Sequence, residues 1–300
     1  MAEAFQKHLL LYGWLPRPSV MNYLKTQCTK DEVAREVEIL KLWESANRAF
    51  NSKKPLSFES ITCTPIADEC AAKIKSIRED KRFSHTFQEA TTSFESVEID
   101  KLIACQSTVA LDYIEKLTQD VRGEIDLDSL MDMCLSLDKT VPEVSDIQAN
   151  QQTIVYSSEN TDFRFLGALQ KPLEEIELDT SSTGGIPTRA LVLLFGYGGS
   201  PVNVLKVGKR IFLNNGFHRV YALRKAGVTQ IPVVIQTISN PALEFPAVYQ
   251  NIPKEYLLTA DRLPMMEDYF NETMTIQLKQ KARRRGVKVV WGAESIDVPL

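Results

Sequence analysis

The chain has 300 residues, with 35 Lys and Arg against 39 Asp and Glu and a formal net charge of −4. This excludes a surface that is basic throughout and holds nucleic acid or anionic lipid by bulk charge. With 44% hydrophobic and 25% charged residues, it has the profile of a globular protein large enough to bury a core without staples. The scattered cysteines Cys28, Cys63, Cys70, Cys105 and Cys134 form no CxxC or Cys/His cluster, so neither a disulfide framework nor a metal site is expected. No apolar run approaches the roughly 18 residues of a membrane helix, and no basic, apolar leader opens the chain. The expectation is a cytoplasmic protein with no membrane partner.

Residues 1–94 read as a helical region. In TKDE, Thr29 and Glu32 have capping-box spacing ahead of Ile39, Trp43, Ala46 and Phe50, a helical stripe. Thr64 followed by Pro65 is expected to open a second helix with Ile66, Cys70, Ile74 and Ile77 inward. Helices of this kind offer a protein partner a surface. Near residue 95 the texture changes, and SVEIDKLIACQ alternates as a strand does. STVALDYIEKLTQ suits a helix capped by Ser107 with Val109, Tyr113 and Leu117 inward, and DLDSLMDMCLSL one with Leu127, Leu130, Cys134 and Leu137 on one side. Residues 138–152 read as loop and TIVYSS as a strand.

From residue 172 the pattern is α/β. LEEIEL (173–178) reads as a strand, TSSTGGIP (180–187) as a turn cluster, and TRALVLLF (188–195) as helix or buried strand. VNVLKV and RIFL flank a GK turn, and IPVVI is a further strand. Beyond it, Pro241, Pro246, Pro253 and Pro264 suit a wrapping segment, and a basic helix is expected over roughly 266–285, followed by a strand VKVVW. Lys279, Arg283 and Arg284 of that helix are candidate nucleic-acid contacts, although helical spacing spreads them around the axis. The expected class is α+β, mixed α/β, with regions 1–94, 95–240 (core motif 172–240) and 241–300.

The densest signal is LNNGFHRVYALRKAGVTQIPVV (213–234). Ile211 and Leu213 face one side of a strand and Phe212 the other, as in a strand covered on both faces. Gly216 permits positive φ or a close backbone approach. Asn214 or Asn215 is placed to cap the helix starting near 217–218, Gly227 to end it, and Val220 and Leu223 to form its buried edge. His218 and Arg219 fall in the first turn, where free amides favour an anion and disfavour a cation. Basic side chains belong there when something negative occupies the site. Arg offers a planar fork for phosphate, and His a donor of adjustable charge.

The run PVNVLKVGKRIFLNNGFHRVYALRKAGVTQIPVVI (201–235) resembles the ParB/sulfiredoxin superfamily, in which a hairpin leads into a Gly-x-His-Arg turn at a helix start and an Ile-Pro-Val strand follows. The resemblance implies a ParB/sulfiredoxin-like domain with phosphate contacts at Gly216, His218 and Arg219, and Asn215 in the same turn is a further candidate contact. Weaker similarity running back through 173–195 adds Thr188 and Arg189. Two departures narrow it. Sulfiredoxins carry their catalytic cysteine where this chain has Phe217, and partition ParB proteins carry a Glu-Arg-Arg type turn with a downstream helix-turn-helix. A third relative, a nucleotide-dependent free-serine kinase, pairs its His-Arg turn with a carboxylate base, a role open here to Glu174, Glu175 or Glu177.

The resemblance and the residues together imply binding of a nucleotide (ATP, ADP or CTP, with Mg²⁺) or another phosphorylated small molecule. Phosphoryl transfer or nucleotide hydrolysis is the enzymatic version. The alternatives are a non-catalytic regulatory scaffold and nucleic-acid binding through the basic helix.

Overall fold

A computed structural model describes residues 4–56, 58, 63–119, 125–138, 141–160, 162–172, 185–198, 201–245, 248–249 and 252–297. Strand β1 (Phe5–Leu11) leads into helices α1 (Arg17–Gln27), α2 (Lys30–Ala34) and α3 (Glu36–Ser52). Strand β2 (Cys63–Pro65) precedes α4 (Ala71–Glu79), α5 (Lys81–Thr86), β3 (Thr92–Glu98), β4 (Ile103–Ala104), β5 (Thr108–Ala110), α6 (Leu111–Gln119) and α7 (Leu127–Leu135). Four strands follow: β6 (Ser145–Asn150), β7 (Thr153–Ser158), β8 (Phe163–Pro172) and β9 (Arg189–Tyr197). The motif region is β10 (Asn203–Val207), β11 (Arg210–Asn215), α8 (Phe217–Lys225) and β12 (Gln230–Thr237). The remainder is α9 (Pro241–Glu244), β13 (Val248–Tyr249), β14 (Ile252–Pro253), α10 (Lys254–Thr259), β15 (Thr275–Lys281) and β16 (Arg285–Val290). The class is mixed α+β, as the sequence implies.

The chain divides into two compact units, Met1–Asp138 with Gly199–Ala282, and Lys139–Gly198 with Arg283–Leu300. These limits do not coincide with boundaries at 94 and 240. The first unit holds a six-stranded mixed sheet in the order β2-β3-β12-β10-β11-β4. Its centre is β12, parallel to β10 and antiparallel to β3, and β10 turns through Gly208 at φ 57° into antiparallel β11. Ile211, Phe212 and Leu213 are all buried, as are Ile231, Val233, Val234 and Ile235. Continuous apolar runs therefore mark strands covered on both faces. The same unit carries a three-stranded sheet, β15-β1-β5.

Several local expectations give way to tertiary pairing. The region 1–94 is not wholly helical, because β1 pairs with β15 along its whole length and with β5 on its other edge. Thr64 and Pro65 lie in β2, paired with β3 at the sheet edge where a missing N–H is tolerated, and the helix starts only at Ala71. Val109 sits in β5, and α6 buries Ile114 while Tyr113 stays half-exposed. The helix expected over 266–285 is absent. TIQLKQK alternates with a period of two, buries Leu278 and pairs with β1 as β15.

Thr29 stands at the N-cap of α2, but the capping box does not form. Glu32 instead accepts the Lys279 amide (3.1 Å) and an Arg35 guanidinium N–H (2.9 Å). A side chain suited to local capping thus closes a long-range strand contact. Local side-chain caps form elsewhere: Asp126 accepts the Ser129 amide at the start of α7 (2.8 Å), Asp80 the Arg82 amide at α5 (2.7 Å), and Asn240 the Ala242 amide at α9 (3.1 Å).

The second unit has a three-stranded antiparallel sheet, β16-β7-β6, and the hairpin β8–β9. Residues 145–150, expected within a loop, are strand β6 because β7 offers them an edge. TRALVLLF is strand β9, but not a buried one: Leu191 and Leu194 are exposed. The hairpin base is fastened by the Phe163–Tyr197 ring contact (5.6 Å between centroids) and by the Tyr197 hydroxyl, which donates to the Pro142 carbonyl (2.9 Å). No helix among the described residues is long and apolar enough to cross a membrane.

Candidate functional site

The site begins where β11 ends. Gly216 is the N-cap of α8 at φ 98°, ψ 16°, in the left-handed region that disfavours side chains. A Cβ there would also lie 2.8 Å from Val202 Cγ2. Glycine is therefore required twice, by conformation and by close approach. The asparagines before it do not cap the helix. Asn214 Nδ2 donates to Asn203 Oδ1 (2.7 Å) and Asn215 Nδ2 to the Pro201 carbonyl (3.1 Å), so both tie the turn to the start of β10. Gly216 itself offers no side-chain cap, and the first turn of α8 is the positive end of the helix.

Phe217, Val220, Tyr221, Ala222 and Leu223 form the buried side of α8. Phe217 is thus a core residue at the position where sulfiredoxins place a nucleophile. Burial raises the pKa of all five cysteines, Cys28 and Cys134 to about 12. None is an activated thiolate.

Arg219 is half-buried and reaches α7, donating from Nη1 to the Met133 carbonyl (3.0 Å). This bond fixes the guanidinium beside the turn and complements a helix C-terminus at the same time. His218 packs edge-to-face against Tyr113, at 5.4 Å between centroids and 78°. Burial, then the neighbouring His8, then Arg219, bring its pKa down from 6.5 to about 4. It is neutral at pH 7.

The third member of this group is His8, held in β1 between Ala110 of β5 and Leu278 of β15. Both of its ring nitrogens are buried, and neither has a hydrogen-bond partner among the described residues. Burial lowers its pKa, and the nearby Asp112 carboxylate opposes that shift. Asp112 itself accepts the Lys7 amide (2.9 Å). A buried polar group left unpaired costs about 1–3 kcal/mol, so His8 is a feature that requires a reason. Sequence reasoning did not find His8, Asp112 or Tyr113. His8 is far from the other two in sequence; the β1–β5 pairing sets it opposite Ala110, next to the start of α6, and Tyr113 of α6 meets His218.

The other candidates fall elsewhere. Thr188 and Arg189 are exposed at the start of β9 in the second unit. Glu174, Glu175 and Glu177 lie outside the described residues, as does the strand expected over 173–178. The basic helix is replaced by strands, which removes the expected geometry. Lys279 is on β15 with its ammonium over the Phe5 ring (5.0 Å), and Arg283 and Arg284 belong to the second unit, where Arg284 pairs with Glu159 (3.1 Å). Among the described residues, no group of three or more His, Cys, Asp and Glu side chains is placed to hold a metal ion.

No protein-family model, curated protein or solved structure matches the chain. The resemblance over 201–235 therefore rests on its own residues.

Proposed function

We propose that the protein binds the phosphate of a nucleotide or another phosphorylated small molecule at the first turn of α8. The observation that carries this reading is the left-handed Gly216 N-cap, which has no side chain to cover the helix start and sets His218 and Arg219 in the first turn beside it. The resemblance to nucleotide-using relatives of the ParB/sulfiredoxin superfamily supports the nucleotide as the first ligand class. Mg²⁺ would enter with the nucleotide, held chiefly by its phosphates, as is usual for that ion.

Isothermal titration with ATP, ADP and CTP, each with Mg²⁺, tests the reading. Binding by the wild type that weakens at least about tenfold in Arg219→Ala is expected, one charge-assisted contact being worth roughly 1.5–3 kcal/mol. Absence of binding, or an unchanged affinity in Arg219→Ala, would sink it. A turnover assay on the same samples separates a phosphotransferase or NTPase, which consumes the nucleotide, from a regulator, which binds and releases it intact.

A further inference from the structure

Two of the three histidines in the chain, His8 and His218, stand as electrostatic neighbours although 210 positions separate them. The third, His85, is exposed on α5. Neither ring nitrogen of His8 finds a partner, so the two imidazoles are not bonded to one another. A half-buried imidazole whose two nitrogens are buried and, among the described residues, unpaired points to a group that arrives from outside the chain.

We propose that His8 and His218 are a proton-accepting pair that takes up one proton when a tetrahedral oxyanion of the phosphate or phosphomonoester class binds at the α8 turn. The inference rests on the anion reading above and adds to it a second recognition element and a pH dependence.

The reasoning is electrostatic. Around the pair stand Asp112 and Tyr113 of α6, Arg219 of α8 and, beyond Arg219, the protonated Cys134 thiol of α7. The strands flanking His8 present Ala110 and Leu278, which do not titrate. Without a ligand, burial and the mutual proximity of two imidazoles and a guanidinium hold the pair neutral. The Asp112 carboxylate acts on His8 in the opposite sense. An oxyanion at the turn supplies the missing negative charge, which favours the imidazolium form. The proton comes from solvent, and the new N–H donates to an oxyanion oxygen. Binding and protonation therefore assist each other.

The test uses sulfate and inorganic phosphate on the full chain. Sulfate has no proton to exchange between pH 5.5 and 8, so any uptake that accompanies it belongs to the protein. Calorimetric titration in two buffers of different ionisation heat should report uptake of about one proton per ion. Affinity should rise close to tenfold per unit as pH falls from 7.5, the slope for one linked proton. In His8→Gln, checked for an unchanged melting profile, the uptake should be lost or clearly reduced. In the wild type, the His218 imidazole proton resonances should titrate at higher pH when sulfate is present, a readout that needs no variant.

Binding without proton uptake, or with equal uptake in His8→Gln, overturns the inference and leaves the anion site standing. Failure of both ions to bind also overturns it, and the nucleotide titration then decides the wider reading alone.

Discussion

The two units use similar apolar residues in strands to opposite effect. In β11 of the first unit, Ile211, Phe212 and Leu213 are at most 1% exposed, whereas in the β8–β9 hairpin of the second, Phe165, Leu166, Leu169, Leu191 and Leu194 are 41–64% exposed. The difference lies in what covers each face. β11 sits inside a six-stranded sheet with helices packed upon it, and the hairpin is a two-stranded ribbon. An apolar run states what a strand tolerates; only the surrounding layers decide whether it is buried.

The largest expected effects break this comparison most directly. Phe212→Ala removes a fully buried ring and should cost about 3–5 kcal/mol in chemical denaturation. Leu169→Ala on the hairpin should stay within about 0.5 kcal/mol. Equal losses would contradict the contrast between a packed sheet and an open ribbon.

Charge pairs should divide in the same way. Asp268 is fully buried and receives Arg262 through both carboxylate oxygens, Lys53, and the Met265 amide. Asp268→Asn should cost about 3–5 kcal/mol, because it takes the buried countercharge from the largely buried Arg262 guanidinium and leaves it only the more distant Glu267 at 3.9 Å. The exposed Arg284–Glu159 pair of the second unit should yield less than about 1 kcal/mol on Arg284→Ala. A double-mutant cycle at each pair measures the difference.

The pH dependence sharpens the comparison further, since all three histidines lie in the first unit. His218 has its folded pKa depressed from 6.5 to about 4, so the unfolded chain binds the extra proton between those values. Stability from this group is complete above about pH 6.5 and is lost as pH falls toward 4, on the order of 3 kcal/mol in total. Denaturation of His218→Gln across that range should show a flatter profile than the wild type. A profile unchanged by the substitution would mean that the ring is not neutralised by burial.

The smallest effects separate two glycines with positive φ. Gly216→Ala combines left-handed backbone with a close approach to Val202, and should cost about 1–3 kcal/mol. At Gly208, φ is +57° and a Cβ meets nothing within 4 Å, so Gly208→Ala should carry only the conformational cost of about 1 kcal/mol. Thermal melts of the two variants rank them, and a reversed order would remove the second requirement argued for Gly216.

What the sequence alone determined is local and contiguous. The β10–β11 hairpin, the Gly216 turn, α8 and β12 were legible because glycine positions, apolar periodicity and the helix stop all lie within one short run. Tertiary structure decided what depends on distant edges. The run 275–281 became a strand because β1 offers it a partner, although its lysines and the arginines beyond it mimic a basic helix. Glu32 left its local cap for the Lys279 amide for the same reason. His8 came beside Ala110 and the start of α6 through the β1–β5 register, which no residue pattern announces. Turns and helix caps draw on neighbours in sequence, whereas strand pairing and buried polar groups draw on neighbours in space.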